Sequence, residues 1–183
     1  DNKNIFYLDL KNEKSIKEII QIVKPEFLAL IAGFSSLRKS FDHPKECLNI
    51  NYESNKVFLQ AIQNQKLNTK VLLISSAMVY SQTNNKIKES FPTANSSPYS
   101  QSKLLTEQLI QEFPDLRIVC SRSFNHTGIG QSEEFLIPKL TKSFAEAKET
   151  VYLRLGNLNF KRDFLDVKDV VNAYNLLLLE AKE

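Results

Sequence analysis

The most chemically suggestive arrangement in the sequence is a tyrosine followed four residues later by a lysine, Tyr99 and Lys103. Residues at i and i+4 share one face of a helix, so the lysine ammonium would stand beside the phenol. A neighbouring positive charge stabilises the phenolate, and we expect it to lower the tyrosine pKa from about 10 toward neutrality. A tyrosine tuned in this way can exchange a proton with a sugar hydroxyl or carbonyl. Ser76, at the end of an upstream apolar run, is positioned in the sequence to hydrogen-bond the same oxygen.

The Tyr-x-x-x-Lys spacing is not specific by itself. The tyrosine and lysine frequencies predict about 0.6 matches by chance. The sequence holds three, at Tyr7/Lys11, Tyr52/Lys56 and Tyr99/Lys103. Only the last begins a predicted helix after a strand-end serine and a long loop, over residues 81–98. The alternative explanation of the pattern is an ordinary surface Tyr–Lys pair.

Short apolar runs that alternate with amphipathic stretches must position these residues. Strands are predicted at Ile5–Leu8, Phe27–Ala32, Val71–Ser75, Arg117–Cys120 and Val151–Leu155. Helices are predicted from a cap at Ser15 to Val23, and over Lys45–Gln65, Tyr99–Phe113, Glu134–Lys148 and Val167–Leu179. Pro138 interrupts the fourth of these unless it lies in the first turn. Alternation without hairpin signals predicts an α/β fold with a doubly wound parallel sheet.

The composition excludes several classes of protein. With 42% hydrophobic and 25% charged residues among 183, the chain has the make-up of a folded globular protein. No apolar run approaches the ~18 residues that span a bilayer, so we expect no membrane partner. A net charge of +3 with scattered lysines does not favour nucleic acid. Two distant cysteines indicate reduced thiols in a cytoplasmic protein, and Cys and His show no metal-ligand spacing.

Several sequence blocks, in order along the chain, resemble the extended short-chain dehydrogenase/reductase family. Ile74–Tyr80 (ISSAMVY) and Ser97–Lys103 (SPYSQSK) carry this resemblance. Three further blocks are similar to its GDP-mannose 4,6-dehydratase and GDP-6-deoxy-mannose reductase branch: Arg122–Gly128 (RSFNHTG), Phe135–Lys139 (FLIPK), and Gly156-Asn157-Leu158 leading to Arg162–Val167 (RDFLDV). The resemblance implies a Rossmann-type sheet, with a partial NAD(P)-binding domain over 1–121 and part of a nucleotide-sugar-binding region over 122–183.

The resemblance also implies a role for particular residues. Ser76, Tyr99 and Lys103 match the catalytic triad, with Tyr99 as acid/base. The positions that match contacts to NAD or NADP are Asp9, Leu10, Ala32, Gly33, Ser35, Tyr99 and Lys103. Those that match contacts to a GDP-linked sugar are Ser76, Asn125, Lys139 and Arg162. A homodimer through helices 45–65 and 99–113 is implied as well.

Two departures from the family pattern matter. Met78 stands where the dehydratases carry a glutamate base, and a thioether cannot abstract a proton, so 4,6-dehydration is disfavoured. The glycine-rich loop that follows the family's first strand has no counterpart among the four glycines. We therefore expect an interior fragment in which the Phe27–Ala32 strand has an unpaired edge, and which alone binds NAD(P) weakly or not at all.

These patterns leave several functions open. The favoured one is reduction of the 4-keto group of a GDP-6-deoxy sugar, with a nucleotide-sugar 4-epimerase as alternative and a dehydratase third. A split or inactive module that only binds a nucleotide sugar or a partner is the alternative of another class. His126, in the substrate-side block, is expected to have a structural hydrogen-bonding role rather than a chemical one. The sequence does not distinguish NAD from NADP.

Overall fold

The computed structural model describes residues 5–156, 159 and 161–181, which divide into two compact units. The first unit runs up to Ser123 and includes the chain end from Tyr174. Its helices are α1 (Glu13–Val23), α2 (Leu37–Asp42), α3 (Pro44–Leu48), α4 (Ser54–Asn64) and α5 (Pro98–Glu112). Its strands are β1 (Phe27–Leu30), β2 (Lys70–Ser76) and β3 (Arg117–Ser123). A π-helical turn, Asn49–Glu53, joins α3 to α4, and a 3₁₀ turn, Ala77–Val79, follows β2.

The three strands of the first unit form one parallel sheet in the order β1-β2-β3. Val71 of β2 pairs with Leu28 of β1, and Ser76 pairs with Ser123 at the carboxyl end of β3. Sequential order with helical crossovers is the arrangement of one half of a doubly wound sheet. The predicted fold class, α/β with a parallel Rossmann-type sheet, is confirmed. Among the described residues β1 pairs with β2 alone, so its other edge is unpaired.

The core of the first unit lies between the sheet and the helices packed on it. Ile16 and Ile20 of α1 meet Leu59 and Ile62 of α4. This apolar layer continues onto Val71, Leu73, Leu109, Phe113 and Ile118. None of the described helices has the length and apolar character needed to cross a membrane.

The second unit, Phe124–Ala173, contains a short parallel pair of strands, β4 (Asn125–Thr127) and β5 (Phe164–Asp166). It also holds α6 (Leu136–Glu146) and the start of α7 (Val167–Glu180). The helix begins at Leu136, two residues later than expected, so Pro138 lies in the first turn of α6, where its missing N–H costs no helical hydrogen bond. Gly128 is required sterically, because a Cβ there would lie 2.3 Å from Cγ1 of Val167.

Several predicted boundaries are wrong. The segments Ile5–Leu8 and Val151–Leu155 form no strand, since no described segment pairs with them. The strands β4 and β5 were not predicted, because a three-residue strand is too short to show a periodic sequence pattern. The cap of α1 is Asn12, whose side-chain oxygen accepts from the Ser15 amide, and not Ser15 itself. The Asn157-Leu158 part of the resemblance lies outside the described residues.

Candidate functional site

Ser76, Tyr99 and Lys103 come together at the carboxyl end of β2. Tyr99 lies in the first turn of α5, which begins at a capping box formed by Ser97 and Ser100. Ser76, the last residue of β2, lies beside Tyr99, and the serine hydroxyl acts to lower the pKa of the phenol. One turn further on, the Lys103 ammonium is 5.9 Å from the centroid of the Tyr99 ring.

The Lys103 ammonium is buried and bonds to a backbone carbonyl. The residue is only 7% exposed, and its Nζ donates to the carbonyl oxygen of Ile74 at 2.7 Å. Burial disfavours the charged form and lowers the Lys103 pKa to about 8, against smaller raising effects of Cys120 and Cys47. At neutral pH the lysine is therefore still mostly protonated, but it loses its charge at a much lower pH than an exposed lysine.

The expected fall in the Tyr99 pKa is wrong for this structure. Burial of the phenol raises the Tyr99 pKa above its ordinary value of 10, and this effect exceeds the lowering by the hydrogen bond to Ser76. The lysine ammonium is directed to the Ile74 carbonyl and not to the phenol oxygen. Tyr99 is consequently a protonated hydroxyl at neutral pH, which suits it to donate a proton.

The hydrogen bond that Ser76 accepts leaves its own hydroxyl proton available. The Met78 amide donates to Ser76 Oγ at 3.2 Å in the 3₁₀ turn after β2. One acceptor position of the hydroxyl is thereby occupied, and its proton is free to be donated to the Tyr99 oxygen or to a ligand oxygen. Met78 itself is half-buried and offers no base.

The pair Tyr52/Lys56 has the same sequence spacing but different surroundings. Lys56 Nζ lies 5.7 Å from the Tyr52 ring centroid, nearly the separation of the Tyr99/Lys103 pair. Here, however, the lysine donates to the Glu112 carboxylate at 2.7 Å, and the partly exposed ion pair raises its pKa. The strand-end serine and the burial, rather than the spacing, distinguish Tyr99 and Lys103.

The loop after β1 contains the predicted cofactor-contacting residues Ala32, Gly33 and Ser35, all exposed. The side chain of buried Asn51, in the π-helical turn, accepts from the Phe34 amide at 2.8 Å and donates to the Phe34 carbonyl at 3.1 Å. A Cβ on Gly33 would lie 2.8 Å from Asn51 Oδ1, so only glycine allows this close approach.

Asn51 also joins the loop to α5, because its Nδ2 donates to Ser102 Oγ at 2.9 Å. Sequence reasoning missed this residue. The available signal was a polar residue on the core side of a predicted helix. Of the other predicted cofactor contacts, Asp9 is exposed and its carboxylate accepts from the Lys11 amide, while Leu10 packs against the core.

The predicted sugar-contacting residues other than Ser76 all lie in the second unit. Asn125 is exposed on β4 and pairs in register with Phe164 of β5, two residues after Arg162. Lys139 is exposed on α6. Two cationic side chains and an amide are suitable groups to hold a diphosphate. His126 Nδ1 hydrogen-bonds the Phe124 carbonyl at 3.0 Å, the structural role expected for it.

Comparison with known proteins extends over the whole chain. The family model for GDP-mannose 4,6 dehydratase matches residues 1–183. A GDP-6-deoxy-D-mannose reductase from Pseudomonas aeruginosa is 32% identical over 163 residues, 84% of this chain and 54% of the relative. A UDP-glucose 4-epimerase from Mycoplasma genitalium is 29% identical, with 94% of this chain and 56% of the relative covered.

A solved structure has a similar fold. RMD from Pseudomonas aeruginosa, complexed with NADPH, aligns with a TM-score of 0.86 at 31% identity. The alignment covers 94% of this chain and 63% of that one. The chain thus spans somewhat more than half the length of the relatives it matches.

Proposed function

Since the chain belongs to the GDP-mannose 4,6-dehydratase family of the short-chain dehydrogenases/reductases, we propose that the whole protein reduces the 4-keto group of a GDP-linked 6-deoxy sugar with NADH or NADPH. The observation that carries the proposal is the position of the Tyr99 hydroxyl at the carboxyl end of β2, beside Ser76 and with the buried Lys103 ammonium 5.9 Å from its ring centroid. The reductase relative at 32% identity supports the choice of reaction.

In this proposal Tyr99 is the acid of the reaction. A nicotinamide coenzyme, when bound, would supply the hydride to the carbonyl carbon. The Tyr99 hydroxyl donates its proton to the carbonyl oxygen, so that C=O becomes CH–OH, while the Ser76 hydroxyl hydrogen-bonds that oxygen. The phenolate left on Tyr99 would lie one helical turn from the Lys103 ammonium, which is still charged at neutral pH.

The residues proposed to hold the coenzyme are Asp9, Leu10, Ala32, Gly33, Ser35, Tyr99 and Lys103. The loop after β1 fits this role because its residues Ala32, Gly33 and Ser35 are exposed and its backbone is fixed by hydrogen bonding to Asn51. The Asn51 side chain occupies the space that a Cβ on Gly33 would need. Those proposed to hold the GDP-sugar are Asn125, Lys139 and Arg162, together with Ser76. Accordingly, residues 1–121 would serve the coenzyme and 122–183 the nucleotide sugar.

Met78 favours reduction over dehydration, because it supplies no base to remove the sugar proton. An epimerase would use the same triad, and a 4-epimerase is among the relatives. The two reactions differ in their need for reductant. We expect the whole protein to oxidise NAD(P)H stoichiometrically with a GDP-4-keto-6-deoxy sugar. Turnover of a nucleotide sugar with catalytic NAD alone would show an epimerase instead.

A homodimer through the helical stretches 45–65 and 99–113 belongs to the same proposal. The outer side of these helices carries the Lys56–Glu112 ion pair and Ile110, which is 37% exposed. Sedimentation velocity on the whole protein tests this, and a monomer at micromolar concentration would contradict it.

A further inference from the structure

Glu107 lies in α5, four residues after Lys103 and eight after Tyr99, so all three share one face of the helix. Its carboxylate accepts from Ser75 Oγ at 2.5 Å and from Arg122 Nε at 2.9 Å on one oxygen. Arg122 Nη2 donates to the other oxygen at 2.7 Å. The side chain of Glu107 is only 16% exposed, so this is a largely buried, bidentate ion pair between α5 and β3.

Three consecutive residues of β2 contact three successive turns of α5. Ile74 accepts from Lys103, Ser75 donates to Glu107, and Ser76 lies beside Tyr99. The first and third of these contacts involve the groups that would do the chemistry. The second contact joins Glu107 to Ser75, which lies between Ile74 and Ser76 in the strand. This contact can hold the helix without taking part in proton transfer.

Arg122 extends the same cluster to the long loop between β2 and α5. Its Nη1 donates to the carbonyl oxygen of Glu89 at 3.1 Å, and its guanidinium lies 4.9 Å from the centroid of the Tyr80 ring. The ion pair therefore ties together α5, the ends of β2 and β3, and the loop that leads from Ser76 to Tyr99.

We propose that Glu107 is a positioning residue for Tyr99 and Lys103. Its carboxylate joins α5 to β2 through Ser75 and to β3 through Arg122, and so determines where the phenol and the ammonium lie relative to Ser76 and Ile74. The consequence for catalysis rests on the proposed reduction, but the positioning itself does not depend on it.

The position of Lys103 can be followed by its titration in the chain labelled with ¹³Cε-lysine, with Lys103→Met to assign the signal. In Glu107→Gln we expect the Lys103 midpoint to rise from about 8 toward 10.5, because a displaced ammonium is better hydrated. Direct loss of a nearby negative charge would lower that midpoint, so the sign separates positioning from a simple charge effect. Glu112→Gln, on the same helix but paired with exposed Lys56, is the matched control and should leave the midpoint unchanged.

An unchanged or lowered Lys103 midpoint in folded Glu107→Gln overturns the proposal. If that variant does not fold, Ser75→Ala removes one contact of the carboxylate and leaves the ion pair with Arg122 intact. A rise of the midpoint in Ser75→Ala then supports the proposal, and no rise overturns it.

Steady-state kinetics of the whole protein give a second readout. Displacement of the reacting groups by about 1 Å should lower kcat on the order of 10²-fold in Glu107→Gln. The KM for the nucleotide sugar should change much less, since Asn125, Lys139 and Arg162 are untouched. A fall in kcat equal to that of Glu112→Gln overturns the positioning role. Absence of turnover in every variant and in the unmodified protein contradicts the proposed function and leaves the titration result to decide on Glu107.

Discussion

Replacement of Lys103 by methionine should remove a buried charge whose cost to folding depends on pH. The residue is 7% exposed, and burial lowers its pKa from 10.5 to about 8. This fall corresponds to a penalty of about 3 kcal/mol on the charged form in the folded state. Methionine fills a similar volume and carries no charge, but it gives up the hydrogen bond to the Ile74 carbonyl.

The pH dependence has a definite sign. The folded pKa lies below the unfolded one, so the unfolded chain holds more protons between these two values, and the stability contributed by Lys103 rises with pH there. The penalty is present in full below about pH 8 and is lost as the pH approaches 10.5. From pH 7 to pH 9 the unmodified chain should gain about 1 kcal/mol relative to Lys103→Met. The raised pKa values of Cys47 and Cys120 act in the opposite direction; burial is their main cause in both proteins, and only the smaller lowering by Lys103 is lost in the variant.

The assay is urea unfolding of both proteins at pH 7, 8 and 9 under reducing conditions, with the difference in unfolding free energy as the result. Lys56→Met is the control, because the pKa of Lys56 is raised by Glu112 and its charge does not change over this range. For Lys56→Met, the difference in unfolding free energy from the unmodified chain should not change with pH. If the difference for Lys103→Met is equally independent of pH, Lys103 is not a buried, easily deprotonated lysine.

Further predictions concern two glycines and the coenzyme. Gly128→Ala should destabilise the second unit by about 1–3 kcal/mol in thermal unfolding, because its Cβ would meet Val167, and an unchanged midpoint would contradict this packing. Gly33→Ala should displace Asn51 and weaken its bonds to Phe34, seen as a shift of the Phe34 amide signal by NMR; an unmoved signal would show that the loop is held otherwise. The isolated 183-residue chain should show no NADPH binding by calorimetry at micromolar concentration, since it lacks a glycine-rich loop for the pyrophosphate, and tight binding would disprove that expectation.

The sequence predicted the elements whose pattern is long or whose ends carry chemical signals. The apolar runs around Val71 and Ile118 became β2 and β3, and Ser97-Pro98 marked the start of α5. The segment Ile5–Leu8 has the composition of a strand, but a strand also needs a hydrogen-bonded neighbour, which sequence pattern does not report.

The proximity of Ser76, Tyr99 and Lys103 was predictable from three local signals, but the electrostatics of these groups were not. The i+4 spacing correctly placed Lys103 near the Tyr99 ring, yet it carried no information on how deeply either group is buried or on the Ile74 carbonyl that binds the ammonium. The direction of the Tyr99 pKa shift was therefore wrong. Glu107 continues the same helical spacing, but its partner Arg122 lies on another strand, and the ion pair becomes visible only when the chain is folded.

The most direct test of the account compares Tyr99→Phe with Tyr52→Phe in the whole protein, by the rate of NADPH oxidation with a GDP-4-keto-6-deoxy sugar. Both tyrosines precede a lysine by four residues, and both lysines lie within 6 Å of the ring centroid. Loss of the general acid should lower kcat by about 10²–10⁴-fold in Tyr99→Phe, whereas Tyr52→Phe should be as active as the unmodified protein. Equal activity of the two variants, or an unmodified protein that binds the nucleotide sugar without turnover, would contradict the claim that Tyr99 is the acid of a reductase.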